Sequence, residues 1–175
     1  QKDLGFAAMT FDLDEGLGHL LNKIKELEIE DNTYIFYMSD NGSVPNIPGA
    51  KKYEKSYNHP LSRGKWDAFE GGIRIPFVIA GPGIKNGSES DMPVSGNDIL
   101  PTIIDLAGNK SIALTEIDGG SFVPILLNNN NEQIKRTVDG IFFHVPYKNS
   151  IALKRPHSAV RKGDYKLIKF QDDKS

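Results

Sequence analysis

The sequence predicts an α/β fold: part of a mixed, largely parallel sheet flanked by helices, followed by a small antiparallel carboxyl-terminal element. Three observations carry that expectation. A helical apolar period over residues 6–27 leads within a few residues into a continuously apolar strand pattern at 33–39. A second strand pattern at 74–80 is followed by a capped helix pattern at 98–108. Residues 158–170 then read as two short strands around a glycine turn.

In the first helix, Phe6, Met9, Leu13, Leu17, Leu20, Ile24 and Leu27 recur in steps of three or four and share one face, which reads as a packing face. Gly16 and Gly18 each cost a helix about 1 kcal/mol relative to alanine, so their presence points to the close approach of another backbone or to a local irregularity. Asp31-Asn32 is expected to end the helix. The strand beyond it is apolar or aromatic at nearly every position, the pattern of a parallel strand covered on both faces, so helix and strand together form half of a βαβ unit. Residues 42–72 lack any period and are too long for an ordinary connection, which marks them as a functional loop. Pro76 removes a ladder donor and suits the start or the edge of the second strand. Asp98 is placed to cap the next helix and Gly108 to end it, with Pro101 at the third helical position, where no intrahelical partner is lost. A run of asparagines at 128–131 marks a composition shift, dividing the chain into 1–127 and 128–175. Beyond it come a strand at 138–144 and the hairpin through Lys162-Gly163-Asp164.

Composition narrows the chemistry. The 21 basic and 23 acidic residues leave a net charge of −2, so no global field draws the chain to nucleic acid or an anionic membrane, and any anion site must be local. The absence of cysteine excludes disulfides, thiolate metal sites and a cysteine nucleophile. No apolar run reaches the roughly 18 residues of a membrane span. Gln1-Lys2-Asp3-Leu4 lacks the regions of a signal peptide, so in an exported protein the signal is expected to have been removed.

Two stretches carry charge where ligands collect in an α/β sheet, beyond the carboxyl ends of its strands. Asp40 and Asn41 supply one ionised and one neutral oxygen donor, the ligand types of Ca²⁺ or Mg²⁺. Asp40-Asn41-Gly42 also has the composition of a plain turn, and both readings stand at this point. Lys65, beside Gly64, can bring a compact ammonium against a sulfate or phosphate oxygen. The alternative reading of this cluster is a solvated basic patch in which Glu70 pairs with a neighbouring arginine, and both readings stand at this point. No Walker P-loop is present. His19, His59, His144 and His157 receive no catalytic role, and His59 reads as a loop surface residue.

Together these stretches resemble the type I sulfatases of the alkaline phosphatase superfamily. The resemblance lies in Phe6-Ala-Ala-Met and Leu13-Asp-Glu-Gly-Leu-Gly18, in Ser39-Asp40-Asn41-Gly42, in Gly64-Lys65, and in Glu70-Gly71-Gly72-Ile73-Arg74-Ile75-Pro76. It continues through Asp98-Ile-Leu-Pro101-Thr102, Asp118-Gly119 with Ser121, and Ala159-Val-Arg161-Lys-Gly163-Asp-Tyr-Lys166-Leu. It implies that Asp40 and Asn41 are two ligands of an active-site divalent cation, most often calcium, and that Lys65 contacts the substrate's sulfate. It also implies a sulfated small molecule or glycan as substrate and a periplasmic, secreted or lysosomal setting. Where the family commonly has Arg-Gly-Gly-Lys-Gly-Thr, this chain has Ser62-Arg63-Gly64-Lys65-Trp66-Asp67, with the arginine displaced by one place and Trp66 in place of glycine.

The family's formylglycine nucleophile arises from a C/S-x-P-S-R motif that this chain lacks, and the paired aspartates, lysine and histidines of the family's amino-terminal part find no match. The chain is therefore expected to be the carboxyl-terminal portion of a sulfate-ester hydrolase, inactive alone and partnered by the remainder of the polypeptide. The alternatives are a phosphonate or phosphate ester hydrolase of the same superfamily, and a noncatalytic metal- or glycan-binding module.

Overall fold

The computed structural model describes residues 4–44, 58–109, 116–128, 133–148 and 155–172. Helix α1 (Leu4–Glu26) is the long predicted helix. Lys23 and Lys25 stand in its last turn, where a cation complements the helix dipole, and Lys23 pairs with Glu26 at 2.9 Å. It stops earlier than expected: Glu28 takes a left-handed φ of 55° that unwinds the chain, and Asp31-Asn32 falls within a separate 3-10 turn.

Strand β1 (Ile35–Met38) pairs with β2 (Phe77–Ala80), with Ile35 opposite Ala80 and Met38 opposite Phe77. The pair is antiparallel, and the parallel neighbours expected of a βαβ unit are not among the described strands. The reason lies in the connection. Between β1 and β2 the described chain holds only the four-residue helix α2 (Glu70–Ile73), far short of a crossover helix, so the loop returns at the end of β1 from which it left. Pro76 sits just before β2, where its missing N–H costs nothing, and its carbonyl accepts from Ser39 N–H at 3.4 Å.

Beyond β2, a 3-10 turn (Gly96–Asp98) runs directly into α3 (Ile99–Leu106), followed by α4 (Val123–Asn128). Asp98 does not cap α3 through its side chain. Ser95 and Asp98 instead form a capping box one turn earlier, with Ser95 N–H donating to Asp98 Oδ2 at 2.7 Å. Phe122, on the approach to α4, packs edge-on against Phe77 at 6.0 Å. Of the asparagine run, residues 129–131 lie outside the described residues.

The carboxyl-terminal element is the expected antiparallel one, with strands β3 (Ile141–Val145), β4 (His157–Lys162) and β5 (Tyr165–Phe170) in that order. Lys162 faces Tyr165, so the turn is the two residues Gly163-Asp164, with Gly163 at a left-handed φ of 54°. Alternation places His157, Ala159 and Arg161 on one face with Lys166, Ile168 and Phe170 opposite them.

Buried apolar side chains among the described residues are few: Ala68, Phe122 and Ala159, beside the buried polar groups Asp67, Asp98, Thr102 and His157. Much of the apolar face of α1 is exposed: Met9 is 73% exposed, Leu13, Leu20 and, just past the helix end, Leu27 are exposed as well, and nothing described lies within 4 Å of a Cβ built on Gly16 or Gly18, so the close backbone approach read from those glycines is not made among the described residues. Likewise Tyr37 and Met38 are exposed on a strand expected to be covered on both faces, and Val78 is exposed on its partner.

Candidate anion and metal site

At the carboxyl end of β1 the side-chain hydroxyl of Ser39 donates to the Asn41 carbonyl at 2.8 Å and folds Asp40-Asn41 into a turn. Asp40 is exposed and Asn41 half-buried. From there the chain is stitched to the Lys65 loop. Gly42 N–H donates to Gly72 O at 2.9 Å and Lys65 N–H donates to Ser43 O at 3.0 Å. The Asn58 amide completes the seam, accepting from Ser43 N–H at 2.9 Å and donating to the carbonyls of Ser43 at 2.8 Å and Arg63 at 3.0 Å. The two turns singled out in the sequence are therefore backbone neighbours, with the Lys65 amide bonded three residues beyond Asp40.

This seam requires glycine. A Cβ on Gly42 would strike the Gly71 carbonyl, one on Gly71 would strike the Arg63 carbonyl and lie 2.6 Å from Ser62 O, and one on Gly72 would strike the Asp67 carbonyl and lie 2.5 Å from Gly64 O. Three backbones thus stack with no room between them, and the Asn-Gly and Glu-Gly-Gly motifs serve this close approach.

A shell of polar contacts holds the loop from behind. Asp67, buried, accepts from Phe69 N–H at 2.9 Å and from Arg63 Nε at 3.0 Å, and the Arg63 guanidinium lies 5.2 Å from the Phe69 ring centroid. His157 is fully buried, and its Nε2 accepts from Ala68 N–H at 2.9 Å. Its proton is therefore on Nδ1, which donates to the Arg155 carbonyl at 2.8 Å. Glu70 does pair with an arginine, but one distant in sequence: it takes Lys166 Nζ at 2.8 Å and Arg161 Nη1 at 3.8 Å, both on the β4–β5 face. So the carboxyl-terminal sheet clamps the Lys65 loop through His157, Arg161 and Lys166. Sequence patterning gave these residues no part in the site, because a contact over nearly a hundred positions leaves no local spacing to read. His59 is exposed, as expected, and His144 is exposed with Nδ1 2.8 Å from Ser158 Oγ.

For a metal, the donor chemistry fits in part. Asp40 and Asn41 are hard oxygen donors on an accessible turn, but calcium takes six to eight such ligands, and no group of three His, Asp or Glu residues that could hold an ion occurs among the described residues. Calcium is accordingly expected to stabilise the 175-residue chain little. At millimolar Ca²⁺ its melting temperature, followed by circular dichroism, should rise by no more than about 1 °C, the effect of a ligand near its own Kd. A rise of about 5 °C or more would show ligands beyond these two.

A separate groove of about 460 Å³ lies beside β2, lined by Phe77, Ile79, Met92, Phe122 and Leu126 among others. It includes none of Asp40, Asn41 or Lys65, and the carboxylates of Glu89 and Asp91 in its lining oppose a sulfate anion. Among the described residues no helix is long and apolar enough to cross a membrane.

Residues 6–109 match the sulfatase family, and residues 64–175 match the family described as N-sulphoglucosamine sulphohydrolase, C-terminal. The chain is 39% identical over 111 residues to the N-acetylglucosamine-6-sulfatase of Bos taurus, covering 62% of this chain and 18% of that protein. It is 32% identical over 170 residues to the choline-sulfatase of Rhizobium meliloti (strain 1021), covering 93% of this chain and 28% of that protein. A solved structure of a protein in complex with its substrate D-glucosamine-2-N,6-O-disulfate superposes with a TM-score of 0.70 at 26% identity, covering 94% of this chain and 30% of that one. The chain thus spans less than a third of each of these proteins.

Proposed function

The chain belongs to the sulfatase family, and from that premise we propose that it is the carboxyl-terminal part of an enzyme hydrolysing sulfate esters, with a sulfated glycan as substrate. The observation that supports the reading is the seam in which Lys65 N–H bonds Ser43 O, because it makes the backbone of Lys65 a neighbour of the turn that carries Asp40 and Asn41. Lys65 is the sulfate contact, and Asp40 and Asn41 are two ligands of a divalent cation, calcium by the hardness of the donors. A cation bound there supplies positive charge to the sulfuryl oxygens, and a formylglycine outside this chain supplies the nucleophile. What this chain's own residues do is electrostatic: the Lys65 ammonium, held by a loop that hydrogen bonds on both sides fix in place, neutralises charge on the sulfate without reorganising when the ester bond breaks. The glycan reading is supported by the match to the N-sulphoglucosamine sulphohydrolase family and by the structural neighbour with its glucosamine disulfate. The exposed Met9, Leu13 and Leu20 of α1, with Leu27 just past its end, form the surface on which the remainder of a longer sulfatase polypeptide packs, supported by the small share of its relatives that the chain spans.

The test is a titration of the 175-residue chain with inorganic sulfate, followed through backbone amide shifts. Shifts should concentrate at Gly42, Ser43, Gly64 and Lys65, and Lys65→Ala should weaken binding about tenfold, the worth of one charge-assisted contact. Equal affinity in the variant would remove the role of Lys65.

A further inference from the structure

Trp66 departs from the preference of its own backbone. It takes φ 76°, in the left-handed region that favours glycine and is a genuine outlier for a bulky side chain. A glycine would sit there without strain. Strain of this kind persists where the side chain has a use. The use is visible in its neighbour: Lys65 Nζ lies 5.6 Å from the centroid of the Trp66 ring, and the ring is half-buried beside the seam of Gly42, Ser43 and Gly64.

We propose that Trp66 is a specificity-determining platform on which the pyranose ring of a sulfated sugar stacks while Lys65 holds its sulfate; the proposal rests on the reading of Lys65 as the sulfate contact. Three features of the geometry select that ligand class. A flat indole offers a large apolar face at small entropic cost, which suits the C–H face of a sugar ring. The indole is joined through one peptide bond to the residue proposed to take the sulfate, so a ring and its ester group can be engaged together. The ammonium of Lys65 already draws on the π-face of the indole, and a second cation brought to the same ring would be repelled by it. An ester of a quaternary ammonium alcohol is therefore disfavoured against a neutral sugar, although an isolated tryptophan would welcome both.

The chain contains a single tryptophan, so its fluorescence reports Trp66 alone. The intact 175-residue chain is titrated with N-acetylglucosamine 6-sulfate, choline sulfate and inorganic sulfate, with fluorescence and calorimetry read together. The sugar sulfate should shift the emission saturably and bind about three- to tenfold more tightly than inorganic sulfate, as one aromatic stacking contact allows. Choline sulfate should gain nothing over inorganic sulfate. Trp66→Gly should remove the sugar's advantage over inorganic sulfate measured on the same variant, and hold or raise the melting temperature by relieving the backbone. Trp66→Asn, which tolerates the same φ without an aromatic face, should behave likewise and separates loss of the platform from loosening of the loop.

If both variants keep the sugar's advantage, or if choline sulfate gains as much, the platform is wrong while Lys65-dependent sulfate binding leaves the underlying reading intact. If Lys65→Ala binds sulfate as the parent chain does, that reading fails, and the platform stands only if the sugar still shifts the emission. Absence of binding by any of the three compounds overturns both.

Discussion

Asp98→Ala is expected to destabilise the chain by about 3–5 kcal/mol, the cost of leaving one member of a buried ion pair without the other. Asp98 has no exposed surface, and its carboxylate takes Arg136 through Nε at 2.9 Å and Nη2 at 2.7 Å, Gly120 N–H at 2.9 Å and Ser95 N–H at 2.7 Å. Its own carbonyl accepts from Thr102 Oγ1 at 2.7 Å, and that hydroxyl accepts in turn from Phe122 N–H at 3.1 Å. One residue thereby joins the start of α3, the approach to α4 and the segment leading to β3. The alanine variant leaves Arg136 charged and two backbone donors unpaired, so a loss below about 1 kcal/mol in urea unfolding would mean that water replaces the carboxylate cheaply. Replacing both partners with apolar residues of similar volume should recover much of the loss.

The same residue sets a pH dependence of known sign. Burial alone pushes the Asp98 carboxyl up, but the Arg136 guanidinium and the N–H groups of Gly120 and Ser95 outweigh it and hold the group below its ordinary value of 3.8. A carboxyl depressed in the folded state contributes stability that is fully present above its unfolded value and is lost as pH falls through the folded one. The parent chain should therefore lose stability below about pH 4, and Asp98→Asn should flatten that acid limb.

Much of this architecture is legible in the residues because the governing interactions are local. The hairpin is announced by Gly163-Asp164 between two short strands, and α1 by its apolar period. What escapes is whatever depends on distant segments meeting. The direction of β1 against β2 follows from how residues 39–76 return, which no period encodes. Asp98 looks like a helix cap because its spacing suits one, yet its side chain serves a guanidinium 38 positions away. In the candidate site, the residue types of Asp40, Asn41 and Lys65 are readable as charge, while their support by His157 and Lys166 arises from the folding of the carboxyl-terminal sheet onto the loop. The glycines mark the boundary between these cases. Gly16, Gly18, Gly42, Gly71 and Gly72 are alike as letters, yet a Cβ on the first two meets nothing within 4 Å and a Cβ on the other three meets backbone.

That contrast makes Gly72→Ala the second large effect. A methyl group there overlaps the Asp67 carbonyl and lies 2.5 Å from the Gly64 carbonyl, and both are main-chain atoms that cannot rotate aside. Relief requires the segment 64–67 to move as a body away from Gly42. That displacement breaks the Gly42–Gly72 and Lys65–Ser43 hydrogen bonds and strains the anchors on Asp67 and Ala68. Overpacking of this kind costs about 3 kcal/mol, and the variant should also lose the sulfate-dependent shifts at Lys65 even at temperatures where it remains folded. Gly16→Ala is the matched control: with open space around it and a helical backbone, it should raise the stability of the 175-residue chain by up to about 1 kcal/mol. A Gly72→Ala chain that melts with the parent and binds sulfate equally well would mean that the Lys65 loop is not held by that close approach. The ammonium would then owe its position to Asn58 and the carboxyl-terminal sheet alone.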